Sequence, residues 1–265
     1  MGTRKTDIAV TILGSGTCVP SLRRSACAVL METGGARLLF DCGPGTMLRL
    51  LEAGTDISDI AVLCLSHFHP DHSGELVPFL FASKYPDSAR RTQPLTLLAG
   101  RGFSAFFAAL RGAYGRWIEL APGLLSITEM DNRGPDERKF DHFAVRTAPM
   151  AHNPESVAFR ITHTASGASA VYSGDTDFCE SLIGLSRGAD LLICESALPD
   201  GMKADGHLTP GLAGRIAAEA GVRHLVLTHF YPACEQADLV SECRKFYSGP
   251  LTLAADLMKI PVTAP

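Results

Sequence analysis

The chain has 265 residues, 46% of them hydrophobic and 20% charged, with a formal net charge of −4. That is apolar material enough for one large α/β domain spanning residues 1–265, and the acidic balance excludes a strongly basic overall surface, though not a local basic patch. No apolar run is long enough to span a membrane.

Asp7 to Leu13 predicts a first strand rather than a signal peptide. Gly2 with Thr6 matches the loose myristoylation pattern, although Ile8 onward has to begin a buried strand. Ala26–Met31 and Ala36–Phe40 predict a hairpin around Gly34-Gly35. Thr46 to Ala53 predicts a short helix with Thr46 as N-cap and Gly54 as terminator. Ala61 to Leu65 is a strand-like apolar run, and Glu75–Ser83 and Phe103–Ala113 read as helices. The most charged stretch, Asp131 to Asp141, reads as a solvated loop between strands. Four more strand-like runs follow: Phe143–Ala148, Ser169–Ser173, Leu191–Cys194 and Leu225–Thr228. Thr209-Pro210 opens a helix that Gly221 closes, a last helix covers Glu235 to Tyr247, and a strand spans Leu251 to Ala254. Short apolar runs alternating with helical stretches argue for a layered α/β domain. Eight cysteines with no Cys-x-x-Cys pair show no disulfide framework, which fits a reducing, cytoplasmic compartment.

Five of these apolar runs each deliver a metal-capable side chain at the C-terminal end. Ala61–Leu65 is followed by His67, His69, Asp71 and His72. Phe143–Ala148 runs on to His152, Ser169–Ser173 to Asp175, Leu191–Cys194 to Glu195, and Leu225–Thr228 to His229. If the strands share a sheet, the groups converge on one edge, where open α/β sheets place their ligands. His67 and His69, two apart, can aim at one ion, while Asp71 and His72 lie further round the loop and can serve a second. His152 could complete the first set, His229 the second, and Asp175 could bridge them, leaving room for a bridging water. Neutral imidazole and carboxylate suit zinc first, and also manganese or iron. The clustered four-residue pattern would arise by composition alone in roughly one chain in a thousand or fewer. His152, Asp175 and His229 have no such specificity singly; their shared place at run ends is what joins them to it.

The chain resembles the metallo-β-lactamase superfamily and, within it, ribonuclease Z and related zinc phosphodiesterases. The resemblance covers nearly the whole chain. It is carried by LGSGTCVP with Arg24 behind it, LLFDCGPGT, LSHFHPDHSGEL, MAHNPES, SGDT, LLICESAL, GHLTPGLAG and LVLTHFYP. It implies a four-layer αβ/βα sandwich with two divalent metal ions at its rim. His67, His69 and His152 would hold one ion, Asp71, His72 and His229 the other, and Asp175 would bridge. Glu195 and His207, in His207-Leu208-Thr209, match the family's glutamate and histidine, so Asp71, Glu195 and His207 are the expected catalytic residues. A carboxylate beside an imidazole holds it protonated and oriented, which suits a general acid. Asp41, in FDCGPG, reads as stabilising a turn, and Gly14-Ser15-Gly16 as a tight turn. Arg90, Arg91, Arg111 and Arg116 read as solvated surface charges before phosphate contacts. His142, His163 and His224 carry no assigned role.

The function implied is a dinuclear metal-dependent hydrolase, a phosphodiesterase in which a metal-bridging hydroxide attacks phosphorus and His207 protonates the leaving oxygen. The partner is then a phosphodiester, either a small molecule or an RNA 3′ end. Ribonuclease Z trims transfer-RNA precursors and usually carries a long arm; no arm-like insertion is evident here. Phe230-Tyr231-Pro232-Ala233-Cys234 replaces the family's serine-rich sequence after the last histidine. These departures weigh against transfer RNA and leave the metal chemistry untouched. The runner-up is a small-molecule hydrolase acting on a cyclic phosphodiester, a lactone or a thioester. A metal-stabilised binding protein with little turnover is the third reading. Dimers among relatives imply a homodimer, which the residues themselves do not show.

Overall fold

The computed structural model describes residues 6–264 apart from 87 and 89, so Gly2 lies outside the described residues. The first half contributes β1 (Ile8–Gly14), β2 (Ala28–Thr33), β3 (Ala36–Phe40), α1 (Thr46–Glu52), β4 (Ile60–Leu65), α2 (Pro70–Ser73), α3 (Leu76–Ala82), β5 (Leu95–Gly100), α4 (Phe103–Tyr114) and β6 (Leu125–Met130). The second contributes β7 (Asp136–Lys139), β8 (Phe143–Pro149), β9 (Val157–His163), β10 (Ser169–Tyr172), α5 (Glu180–Ser186), β11 (Leu191–Glu195), α6 (Pro210–Ala220), β12 (Leu225–Thr228), α7 (Leu239–Arg244), β13 (Leu251–Leu253) and β14 (Lys259–Val262). They form two seven-stranded sheets, in the orders β14-β1-β2-β3-β4-β5-β6 and β13-β12-β11-β10-β9-β8-β7. Each sheet is mixed: β3 to β6 run parallel in the first, β10 to β13 in the second, and the remaining pairs are antiparallel.

The period of two along the strands builds the layers. In β3, Leu38 and Phe40 join the core shared by both sheets, while Leu39 joins the cluster under the helices. In β4, Val62 and Cys64 face inward, and Leu63 and Leu65 face out against Leu50, Leu76, Phe79 and Phe103 of α1, α3 and α4. Strands buried on both faces read as unbroken apolar runs, which is why they were legible in the sequence. Phe40 bridges the sheets, its ring 5.7 Å from Phe159 of β9 and 5.9 Å from Tyr172 of β10. Burying such a side chain contributes about 1.5–3 kcal/mol. Helices α5 and α6 cover the outer face of the second sheet through Leu182, Ala213, Ile216 and Ala217. The result is the four-layer αβ/βα sandwich.

Several local expectations need correction. Thr46 is the first helical residue of α1; the N-cap is Gly45, at φ 97°. The cap comes from far along the chain: Glu75 accepts from Gly45 N and Met47 N, both at 2.7 Å. Thr46 needs no capping role, and its hydroxyl donates to Gly43 O instead. Asp131–Asp141 is not all loop, because Asp136–Lys139 pairs with β8 as an edge strand. Its charged side chains stay in solvent while one backbone side is paired, a common way to protect a sheet edge. The last helix divides into a 3₁₀ turn, Pro232–Gln236, and α7, because the Asp238 carboxylate accepts from Ser241 N and restarts the helix there. Gly14 and Gly16 make no positive-φ turn. A Cβ on Gly14 would stand 1.9 Å from Ala26 O, so glycine is required there by close backbone approach. Arg91 is neither a phosphate contact nor a surface charge: it is 2% exposed, donating to Ile60 O at 2.8 Å and to Ile57 O. No helix among the described residues is long and apolar enough to cross a membrane, and all eight cysteines are free.

Candidate metal centre

The strand ends meet across the two sheets rather than along one. Only β4 belongs to the first sheet; β8, β10, β11 and β12 belong to the second. The expected single-sheet edge is therefore a rim between two facing sheets, each supplying about half of the donors. Within that second sheet β8, β10, β11 and β12 all run the same way, so each delivers its C-terminal end to the same rim.

The structure brings the expected residues together. One donor atom from each of His67, His69, His152 and Asp175 lies within 4.8 Å of the others, and the same holds for Asp71, His72 and His229. A third grouping joins Asp175, His207 and His229. His69 Nδ1 is 3.3 Å from His152 Nε2, and His72 Nε2 is 3.3 Å from His229 Nε2. Asp175 Oδ1 stands 3.3 Å from His72 Nε2 and 3.4 Å from His229 Nε2. Asp175 Oδ2 reaches toward the other set, 3.7 Å from His67 Nε2 and 4.0 Å from His152 Nε2. Asp71 Oδ2 lies 3.7 Å from His229 Nε2 and 3.8 Å from His72 Nε2.

These spacings fit cations. Tetrahedral nitrogen ligands at about 2.0–2.1 Å from a metal stand about 3.3–3.4 Å from one another. His67 Nε2 and Asp175 Oδ1, both aimed into the array, are buried without a hydrogen-bond partner. Such orphaned acceptors are costly unless something positive lies between them. Imidazole and carboxylate donors with no thiolate suit zinc, manganese or iron.

The histidines are oriented from behind. His72 Nδ1–H donates to Asp41 Oδ2 at 2.7 Å, leaving Nε2 free for the array. Asp41 also accepts from Ser66 N, Ser66 Oγ and Tyr172 Oη at 2.7, 2.8 and 2.6 Å. Ser66 Oγ lies 3.0 Å from His67 Nδ1, so the same carboxylate steers a histidine of each set. Asp41, expected to stabilise a turn, is instead the hub behind the array. Its signal was present: Asp41 follows the strand-like run Ala36–Phe40, as the metal-capable residues follow theirs. His152 Nδ1–H donates to Gly206 O at 2.9 Å, and Asn153 Nδ2 lies 3.0 Å from His69 Nε2.

Burial and crowding set the charges. Without a cation in the array, burial and then the charge of a protonated His72 push His67 down to about 2, so His67 is neutral and able to donate a lone pair. Burial opposes ionisation of Asp71, but the His229 hydrogen bond and the charge of His72 hold its carboxyl at about 2. Asp175 is likewise opposed by burial yet held well below the usual carboxylate range by His229 and His72.

Glu195, at the end of β11, is 1% exposed. Its Oε1 accepts from Thr176 N at 2.8 Å, and its Oε2 from Ala197 N at 3.2 Å and Leu208 N at 3.0 Å. His207 Nδ1–H donates to Oε1 at 3.0 Å. Burial works against the imidazolium of His207, but the hydrogen bond and charge of Glu195 raise it above the ordinary histidine value. The His207 ring lies 5.7 Å from His229 and nearly parallel to it.

The model of the beta-lactamase superfamily domain matches residues 36–230. Ribonuclease Z of Streptomyces avermitilis is 30% identical over 306 residues, covering 96% of this chain and 97% of that protein. The metallo-beta-lactamase fold protein YhfI from Bacillus subtilis superposes with a TM-score of 0.81 at 24% identity, over 97% of this chain and 99% of that one. Human tRNase Z, short form, superposes with a TM-score of 0.76 at 26% identity, over 95% and 98%. The chain belongs to the metallo-β-lactamase superfamily, and its fold and His/Asp array make it a metal-dependent hydrolase.

Proposed function

We propose that this hydrolase is a phosphodiesterase in which His67, His69 and His152 hold one divalent cation, Asp71, His72 and His229 hold a second, and Asp175 bridges them. When bound, such cations supply Lewis acidity: they activate water and neutralise charge developing on the phosphoryl oxygens. The observation that carries the choice of a diester is the buried Glu195 behind His207. An alkoxide leaving group needs a proton, and His207, held 3.0 Å from Glu195, is placed to give one. Asp175 lies 3.9 Å from His207 Nδ1, which puts the imidazole beside the array, and the proton it gives is the one on Nε2, because Nδ1–H is committed to Glu195. The relatives named ribonuclease Z and tRNase Z support the same class of reaction.

The favoured substrate is a compact diester. The segment after His229 folds back on the body, with Phe230 N donating to Ser15 O and Tyr231 N to Ala197 O. Tyr231 stands edge-on 6.4 Å from His207 and 6.1 Å from His229, with its hydroxyl 3.5 Å from Cys18 Sγ. An aromatic wall next to the acid suits a small ester better than a bulky RNA end.

The test strips the protein with a chelator, reloads it with zinc or manganese, and compares a 2′,3′-cyclic nucleotide, a transfer-RNA precursor, a lactone and a thioester. The expected result is metal-dependent diester hydrolysis, faster on the cyclic nucleotide and abolished by Asp71→Ala. Full metal loading without turnover of any diester would overturn the reading. Preferential cleavage of the precursor would overturn only the choice of a compact substrate.

A further inference from the structure

We propose that Asp177, two residues beyond Asp175, is a positioning residue that locks His152 and His207 to one another through Gly206. The inference rests on the proposed metal centre and on His207 as the acid. Asp177 Oδ2 accepts from Gly206 N at 3.1 Å and from Lys203 Nζ at 2.7 Å. Its Oδ1 accepts from Phe178 N at 2.7 Å, and its own N–H donates to Ala151 O, the residue before His152, at 2.8 Å. Asp177 is therefore tied on one side to the loop of His152 and on the other to the loop of His207.

Gly206 is the joint. Its carbonyl accepts from His152 Nδ1–H, which leaves His152 Nε2 bare and turned toward the array. Its backbone sits at φ 79°, and a Cβ there would stand 3.0 Å from His152 Nδ1, so only glycine brings the carbonyl this close without strain. The next residue is His207. Because a peptide unit is planar and rigid, rotating the Gly206 N–H or C=O off its partner moves the neighbouring peptides with it. Asp177 holds the N–H side of this residue and Lys203 neutralises the carboxylate that does so. Lys203 Nζ also donates to Ala204 O at 2.7 Å, which closes the Lys203–Gly206 turn on itself. Thr176, between the two aspartates, donates its N–H to Glu195 at 2.8 Å. Three consecutive residues thus serve the array, the acid's carboxylate and the joint between them.

The experiment uses full-length Asp177→Ala, Asp177→Asn and Lys203→Met, each stripped of metal and titrated with cobalt(II) against a competing chelator. Affinity and visible spectrum are read without substrate, and the melting temperature of the stripped protein is recorded. Outer partners of metal-binding histidines typically govern affinity by about 10–100-fold. Asp177→Ala should lose that much at one of the two sites, with a changed cobalt spectrum and an unchanged melting temperature when stripped. Asp177→Asn, whose amide oxygen can still accept from Gly206 N, should recover much of the loss and stands in should the alanine variant not fold. Lys203→Met, which keeps the Asp177–Gly206 bond but removes the Lys203 bonds to Asp177 and Ala204, should lose clearly less than Asp177→Ala. In turnover, the fall in kcat for Asp177→Ala should be larger for an alkyl ester than for bis(p-nitrophenyl) phosphate. Wild-type cobalt affinity in both Asp177 variants would overturn the proposal, as would a Lys203→Met loss equal to that of Asp177→Ala. Absence of diester turnover in the wild type would remove the proposed function and leave the cobalt result to decide this one.

Discussion

Asp41 and His229 share a backbone conformation that non-glycine residues seldom hold, with φ near 59° and 61°. Such strain costs on the order of 1–3 kcal/mol per residue and persists where surrounding bonds over-determine it. Asp41 meets that condition through its four hydrogen-bonded partners, His72, Ser66 N, Ser66 Oγ and Tyr172. Asp41→Asn keeps the shape but sets an amide N–H against some of these donors. It should weaken metal retention by about 10–100-fold, read by chelator competition; unchanged retention would remove Asp41 from the support of the centre. His207→Ala tests the proton donor more sharply. Loss of a general acid typically costs about 10²–10⁴-fold in rate for a poor leaving group. A p-nitrophenolate departs without a proton, so bis(p-nitrophenyl) phosphate should be much less affected, and equal losses on both substrates would argue against an acid role. At this scale the sequence was legible wherever donors clustered, as in His67–His72. It was least legible where one residue serves another at a distance: Asp41 and Asp177 touch their partners only because of the fold.

Two elements carry the array by fitting closely against neighbours. The loop of Asp71 lies against the glycine after β3, where a Cβ on Gly43 would stand 1.9 Å from Asp71 O. Gly43→Ala must therefore displace backbone that holds Asp71 and His72. The expected outcome is loss of metal from the second set before general unfolding, seen as reduced cobalt stoichiometry in protein that keeps its far-ultraviolet circular dichroism. Helix α6 starts at Pro210, just after His207, and is capped by Thr209, whose hydroxyl accepts from Leu212 N. Thr209→Ala should cost about 1 kcal/mol in a denaturant melt, with the centre left loaded. That helix was readable because its start and stop signals are local. The start of α1 was not, since its cap is Glu75, thirty residues away in the chain. The edge strand β7 was hidden for another reason: a charged run carries no hydrophobic period, and only pairing with β8 makes it a strand.

At the scale of the whole molecule, the array stitches the two sheets together at their rim. A cation that binds only the folded chain stabilises it by about 2.7 kcal/mol per site at a free concentration 100 times its Kd. For a chain of this size that corresponds to several degrees in Tm. Thermal melts with zinc added after chelation should therefore rise and depend on zinc concentration, and a Tm insensitive to metal would refute a centre built between sheets. The sequence by itself determined the layered α/β class, the apolar strands, the local start and stop of α6, and the metal-capable side chains at the strand ends, because burial, period and capping act over a few residues. Only the tertiary structure decided that those donors come from two facing sheets rather than one, that Asp41 stands behind two of the histidines, and that Arg91 is a buried staple. Those facts depend on which distant surfaces pack together, and that is set by the sum of many weak contacts, not by any one stretch of chain.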